Sequence, residues 1–251
     1  MRILRVKHNN QVFYASLNNE ELICLNKELG FTEPIPIKET LVLPPVAPTK
    51  VICVALNYLS HAQEVGKPVP EEPLLFLKPP SAIIGSGQTI LLPPQSQRVD
   101  FEGELAMIIG KPCRDVAPKD APECIFGYSC ANDVTARDLQ NKDTLFARAK
   151  GFDSFAPIGP WIETEVPDPA NLAIKTMVNN EVRQDGNTSD MIFKPLEILS
   201  FISGIMTLLP GDVILTGTPP GIAPLKAGDE VRVEIEGLGM LINPVADYLS
   251  E

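Results

Sequence analysis

Positions alternate in polarity through the first 45 residues: Ile3, Leu4 and Val6, then Val12, Tyr14 and Ser16, then residues 22–25. That two-residue period, broken by Asn9-Asn10 as a turn, predicts a small β-meander. Leu43-Pro44-Pro45-Val46-Ala47-Pro48-Thr49 follows, a crossing in which repeated proline excludes helix and stiffens the chain. The expected division is residues 1–48, a small N-terminal β subdomain with its linker, and residues 49–251, the main domain. No catalytic role is expected upstream of the crossing, and His8 reads as a surface residue.

Beyond the crossing, residues 51–55 form a short apolar strand, after which Asn57 or Ser60 is placed to cap a single helical turn. On that turn His61 and Glu64 stand at i and i+3 and face each other; Gly66, Pro68 and Pro70 end it. Residues 74–77 make another strand, with Lys78 directly after it. Residues 105–109 are an unbroken apolar run closed by Gly110, the pattern of a buried strand. A strand over residues 125–130 leads into Ala131-Asn132-Asp133, and a polar helix is expected from Thr135 with Arg137 and Gln140 on one face. Two-residue periodicity returns at Leu172: residues 174–178, the turn Asn179-Asn180 and residues 181–184 form a hairpin. Pro195 opens an amphipathic helix with Leu196, Leu199, Ile202, Ile205, Met206 and Leu209 turned inward, stopped by Pro210-Gly211. A strand over residues 213–215 runs into Thr216-Gly217-Thr218-Pro219-Pro220-Gly221. Val231, Val233 and Ile235 alternate with charged residues, and Gly237-Leu238-Gly239 closes a last hairpin with residues 240–244. Strands dominate and no repeat is present. The pattern is that of a β-rich α+β domain with a rolled or barrel-like sheet.

At 251 residues, 44% apolar and 21% charged, the chain has the make-up of a soluble globular protein able to bury a good core. Its 25 prolines and 17 glycines are spread as punctuation, which favours many short strands over long helices. A net charge of −11, with no local cluster of Lys and Arg, argues against a nucleic-acid partner. It does not bar an anionic substrate, because a metal and a few cations can make a site locally positive. The five cysteines are odd in number and form no C-x-x-C pair, so they read as structural thiols of a reducing compartment. Residues 1–8 carry no apolar signal core, and the longest apolar stretch, residues 198–209, is too short and broken to span a bilayer. The expected location is cytoplasmic, with no membrane partner.

The candidate chemistry centres on Glu102-Gly103-Glu104. In a strand that spacing puts both carboxylates on one face, where they repel unless something positive lies between them. A hard cation such as Mg2+ or Mn2+ would hold the pair ionised; without it one carboxyl should rise in pKa. A bare Glu-x-Glu is more often a solvated strand end; what adds weight is the third carboxylate, Asp133, at a strand exit. A carboxylate beside an imidazole orients it and stabilises its protonated form, the pairing that a water-activating site needs. On spacing alone His61 and Glu64 fit a surface pair as well, yet His61 is the sole histidine of the main domain. Arg137 suits bidentate carboxylate recognition or a surface salt bridge equally. Lys150, beside Gly151 in a loop rich in Gly, Pro and aromatic residues, can reach a ligand or be merely solvated. The 216–221 turn can offer backbone N–H groups and the Thr218 hydroxyl to an anion.

Read together, these segments resemble the fumarylacetoacetate hydrolase family over about four-fifths of the chain, from Val51 onward. The motifs, in order, are Ala55-Leu56-Asn57-Tyr58 with His61 and Glu64; Leu75-Phe76-Leu77-Lys78-Pro79; Phe101-Glu102-Gly103-Glu104-Leu105; Asn132-Asp133-Val134-Thr135-Ala136-Arg137-Asp138; Pro210-Gly211-Asp212 with Thr216-Gly217-Thr218-Pro219; and Ile235-Glu236-Gly237-Leu238-Gly239. The resemblance implies a mixed β-sandwich or rolled-barrel catalytic domain, usually a homodimer. It implies a divalent metal, Mg2+ or Mn2+ with Ca2+ in some members, on Glu102, Glu104 and Asp133. It further implies a lid dyad of His61 and Glu64, a catalytic Lys150, and substrate contacts at Lys78, Arg137, Gln140 and Thr218. Substrates of the family are small 2-oxo or 2-enol acids. The leading expectation is C–C hydrolysis of an acylpyruvate through a metal-stabilised enolate. Oxaloacetate decarboxylation or tautomerisation and 2-hydroxyhepta-2,4-diene-1,7-dioate isomerisation follow, and a non-catalytic metal-binding β module is the distant alternative. Gln140 and the complete His61/Glu64 pair agree with hydrolytic and oxaloacetate-acting members. Leu56 departs from the arginine that the acylpyruvase branch often carries, and leucine there also occurs in the isomerase/decarboxylase and oxaloacetate tautomerase-like members.

Overall fold

The strand Gly103–Ile109 is buried at all seven positions, because both of its faces are covered. The computed structural model describes residues 1–248 and places this strand inside a twelve-stranded sheet. Along its main path the strands run Ile35–Pro36, Glu21–Cys24, Gln11–Asn18, Arg2–His8, Ala156–Glu163, Ile125–Asn132, Gly103–Ile109, Val213–Leu215, Val51–Ala55 and Leu74–Lys78. Most neighbours are antiparallel; Val213–Leu215 and Val51–Ala55 pair in parallel. A second sheet holds Glu181–Asn187, Ala173–Val178, Glu230–Ile235, Gly239–Asp247 and Ile90–Leu92. The two sheets pack face to face without closing into a barrel, which makes the β-rich α+β class plain.

Alternation along Gly103–Ile109 sends side chains into two cores. Leu105, Met107 and Ile109 meet Ile174, Val233, Ile235 and Leu241 of the second sheet, together with Ile198, Leu199 and Ile202. Ala106 and Ile108 point the other way, among Val51, Cys53, Val213, Leu215 and Ile158. Glu104 shares the parity of Ala106 and Ile108, so the sheet carries it on that second face, at the strand's open end. The five cysteines are all unpaired, and four of them are buried. Among the described residues no helix is long and apolar enough to cross a membrane.

Three local expectations change. The helix Leu59–Glu64 forms, but neither Asn57 nor Ser60 caps it; Tyr58 stands at the N-cap with no side-chain bond. The Asn57 amide is spent on Phe193 and Thr216, and Ser60 bonds Asp190. The polar helix begins at Arg137, because Thr135–Ala136 first pair with Val99–Asp100 in a small antiparallel ribbon. The helix Pro195–Ile205 stops before Pro210: Met206 is already extended at φ −142°, leaving Ile205 and Leu209 exposed.

Candidate active site

The register Gly103↔Asn132 and Glu104↔Ala131 sets the acidic centre. Directly opposed residues share a face, so Ala131 lies beside Glu104, and Asp133, two residues on, points the same way. The Asp133 N–H donates to the Glu102 carbonyl at 2.8 Å, and the Glu102 N–H to Asn132 Oδ1 at 2.9 Å. Glu102 itself precedes the strand, yet its carboxylate joins those of Glu104 and Asp133: one oxygen of each lies within 4.8 Å of the others, and all three residues are buried.

Three cations surround them. Lys150 Nζ donates to Glu102 at 2.9 Å and to Asp133 at 2.5 Å, and stands 4.8 Å from the centre of the Phe76 ring. Arg137 donates to Glu102, to Asp100 at 2.9 Å and to Gln140 Oε1 at 2.5 Å. Lys78 is fully buried behind Asp133, donating to that carboxylate and to the Val134 carbonyl at 3.0 Å. Burial pushes the Glu102 carboxyl up, but Lys150 and Arg137 outweigh it and hold Glu102 well below the usual carboxylate range. Burial likewise disfavours the Lys150 ammonium, and Asp133 and Glu102 more than restore it. Glu104 is the exception. Burial, then Asp133 and Glu102, push its carboxyl well above normal, against the nearby Lys150 charge and one N–H bond from Gly217 at 2.6 Å. A buried set of hard oxygen donors with one carboxyl lacking a cation of its own fits a divalent ion of the Mg2+, Mn2+ or Ca2+ kind.

These carboxylates floor a cleft of about 460 Å3, and the helix Leu59–Glu64 stands over it. Its His61 Nδ1 and Glu64 Oε2 are 2.8 Å apart, and Glu64 Oε1 accepts the Gly221 N–H at 3.0 Å, which ties the helix to the 216–221 turn. His61, Glu64, Arg137, Gln140, Lys150 and Thr218 all line the cleft; Lys78 does not. Leu56 lines it from a left-handed backbone conformation, φ +55°, which is costly for a residue with a Cβ. The 216–221 turn spends its groups internally: the Gly217 N–H serves Glu104, and the Thr218 hydroxyl donates to the Gly103 carbonyl at 2.8 Å.

Asp100, Gln184 and Arg98 join this centre although none of them belongs to a motif named from the sequence. Asp100 is a fully buried carboxylate that binds both Arg98 and Arg137. Gln184 ties the second sheet to Gly103 N–H, Thr218 and Pro219. A signal for Asp100 exists: Asp100, Glu102 and Glu104 form one period-two acidic series.

A β-rich two-sheet domain with this acidic centre under a His–Glu helix defines a class of enzyme. The fumarylacetoacetate (FAA) hydrolase C-terminal family matches residues 50–246, and the chain belongs to the fumarylacetoacetate hydrolase family. It is 46% identical over 223 residues to human mitochondrial oxaloacetate tautomerase FAHD2A, covering 84% of this chain and 71% of that one. The crystal structure of 5-carboxymethyl-2-hydroxymuconate delta-isomerase from Mycobacterium smegmatis superposes at a TM-score of 0.91 with 43% identity, over the whole of both chains. Maleylpyruvate hydrolase from Sphingobium sp. SYK-6, in complex with manganese(II) and pyruvate, superposes at 0.84 with 30% identity, over 99% of this chain and 100% of that one.

Proposed function

We propose that this chain is a divalent-cation-dependent enzyme acting on a small 2-oxo (enol) acid, with proton transfer between enol and keto forms as its principal reaction. The observation that carries the reading is the His61–Glu64 pair standing over a cleft whose floor is Glu102, Glu104 and Asp133. Those three carboxylates would hold the cation, which when bound supplies Lewis-acid stabilisation of developing enolate charge. Glu64 accepts from His61 Nδ1–H, which leaves Nε2 as the basic nitrogen that takes or returns a proton at carbon. Lys150 and Arg137 hold Glu102 and Asp133 in place and keep the cleft attractive to an anion. Gln140 Oε1 accepts from Arg137, and its amide N–H groups meet no acceptor among the described residues, which leaves them free to donate to substrate oxygen.

Two similarities favour proton transfer over the C–C hydrolysis expected from the motifs: the relative at 46% identity is a tautomerase and the structure at 43% an isomerase, while the hydrolase structures stand at 36% and 30%. Hydrolysis of an acylpyruvate stands second, favoured by the intact His61–Glu64 hydrogen bond, which is equally able to activate water.

The test is a panel run on metal-stripped protein with and without Mg2+ or Mn2+. Enol-oxaloacetate is followed by loss of enol absorbance, and acetylpyruvate by release of pyruvate. Cation-dependent ketonisation of oxaloacetate is expected, and pyruvate release from acetylpyruvate in its place would promote the hydrolytic reading. His61→Ala should cut turnover by about 100-fold or more while cation affinity is kept. Unchanged turnover in that variant removes His61 from the chemistry.

A further inference from the structure

Arg98 lines the same cleft as the acidic centre, yet touches none of its three carboxylates. Its Nε and Nη2 are both pinned by Asp100, at 2.8 and 3.2 Å. Asp100 is fully buried and also receives Arg137, which in turn binds Glu102. The order of charges outward from the centre is therefore Glu102, Arg137, Asp100, Arg98. The Arg98 backbone is clamped as well: its carbonyl accepts the Arg137 N–H at 2.8 Å, and Ser96 and Gln97 bond Asp138. Half of the side chain is exposed, and Nη1 meets no acceptor among the described residues. An arginine fixed at one edge and open at the other, on the wall of a cleft, is a preorganised carboxylate receptor.

We propose that Arg98 is a second anion subsite, receiving the carboxylate at the far end of the substrate and thereby selecting 2-oxo diacids over monoacids with the same reactive end. The inference rests on the 2-oxo acid reading above. Lys67 is another cation on the cleft wall, but it follows the lid helix on a proline-bounded segment, and nothing among the described residues fixes its ammonium.

The experiment is calorimetric titration of the Mn2+-loaded full chain with pyruvate and with 2-oxoglutarate, which share the 2-oxo acid end and differ in the distal carboxylate. Wild type should bind 2-oxoglutarate tighter by about tenfold or more, the worth of one charge-assisted contact. Arg98→Gln should bring 2-oxoglutarate down to the pyruvate level and leave pyruvate unchanged, while Lys67→Gln keeps the preference. Arg98→Lys, which keeps the charge without the fork, should retain part of it. A preference that survives Arg98→Gln, or that Lys67→Gln abolishes, overturns the subsite. Loss of affinity for both ligands in Arg98→Gln also overturns it, since Arg98 would then act only through Asp100 and Arg137. Equal binding of the two ligands by wild type sinks the subsite alone; binding of neither removes the 2-oxo acid reading beneath it.

Discussion

Asp212 holds two distant segments of the chain through one carboxylate. Its Oδ1 accepts the Thr49 N–H at 3.1 Å, the Thr49 hydroxyl at 2.7 Å and the Lys50 N–H at 3.2 Å; Oδ2 accepts the Leu209 N–H at 2.9 Å and the Lys50 ammonium. The side chain is fully buried. Burial pushes its carboxyl up, but Lys50, Thr49 and the Leu209 N–H outweigh burial and hold it below the usual range. A carboxyl lowered on folding contributes stability that is complete above its unfolded value, about 3.9, and is lost as pH falls through the folded value. Asp212→Asn keeps the shape but gives up the charge and turns a donor toward Lys50, so a loss of about 2–3 kcal/mol is expected in urea unfolding at pH 7. The gap between wild type and variant should narrow below about pH 4. A gap independent of pH would take the charge out of the explanation.

At the scale of elements, the close approach of the two sheets at Gly103 is what joins packing to the site. A Cβ there would stand 2.1 Å from Thr176 Oγ1 and 3.2 Å from Gln184 Oε1, both on the facing sheet. Gly103→Ala should therefore cost about 1–3 kcal/mol as the sheets move apart. Because the Gly103 carbonyl and N–H serve Thr218 and Gln184, the turn that carries Gly217 should shift with it and loosen Glu104. A lower melting temperature together with weaker Mn2+ binding is expected; unaltered binding would separate the packing from the centre. Period-two alternation made the strands legible, as at Val231, Val233 and Ile235, because one face of each is buried and the other is not. Glu102 with Glu104, and His61 with Glu64, stood out for a different reason: each pair is local, two residues apart or within one helical turn, whereas Asp133 reaches its partners only through the pairing of Gly103 with Asn132. What stayed hidden depends on distant partners. The start of the helix at Arg137 is decided by ribbon pairing to Val99–Asp100, and Gln184 acquires its place only when the second sheet docks on Gly103. Lys78 is the last residue of a strand that is otherwise apolar, and nothing short of the fold shows that it backs Asp133 instead of facing the cleft.

Across the whole molecule, residues 1–48 continue the main sheet, with Arg2 and Ile3 opposite Glu163 and Ile162. They also pack a core of their own from Leu4, Val6, Phe13, Ala15, Leu22 and Ile35. We propose that this segment is a packing unit distinct from the site-bearing remainder. Leu22→Ala, at a fully buried position, should cost about 2–4 kcal/mol locally. Amide exchange should quicken over residues 2–24 while 2-oxo acid affinity is kept; an equal fall in affinity would show one cooperative body. The opposition of Gly103 to Asn132 has a consequence for the population of molecules as well. A slip of one residue between these strands would turn Asp133 to the face opposite Glu102 and Glu104. With the cation site proposed above, uptake by the three carboxylates would act as a proofreader of the fold: in a refolded preparation, the fraction that takes up Mn2+ would count the chains that have found the correct pairing, whatever the rest of their secondary structure looks like.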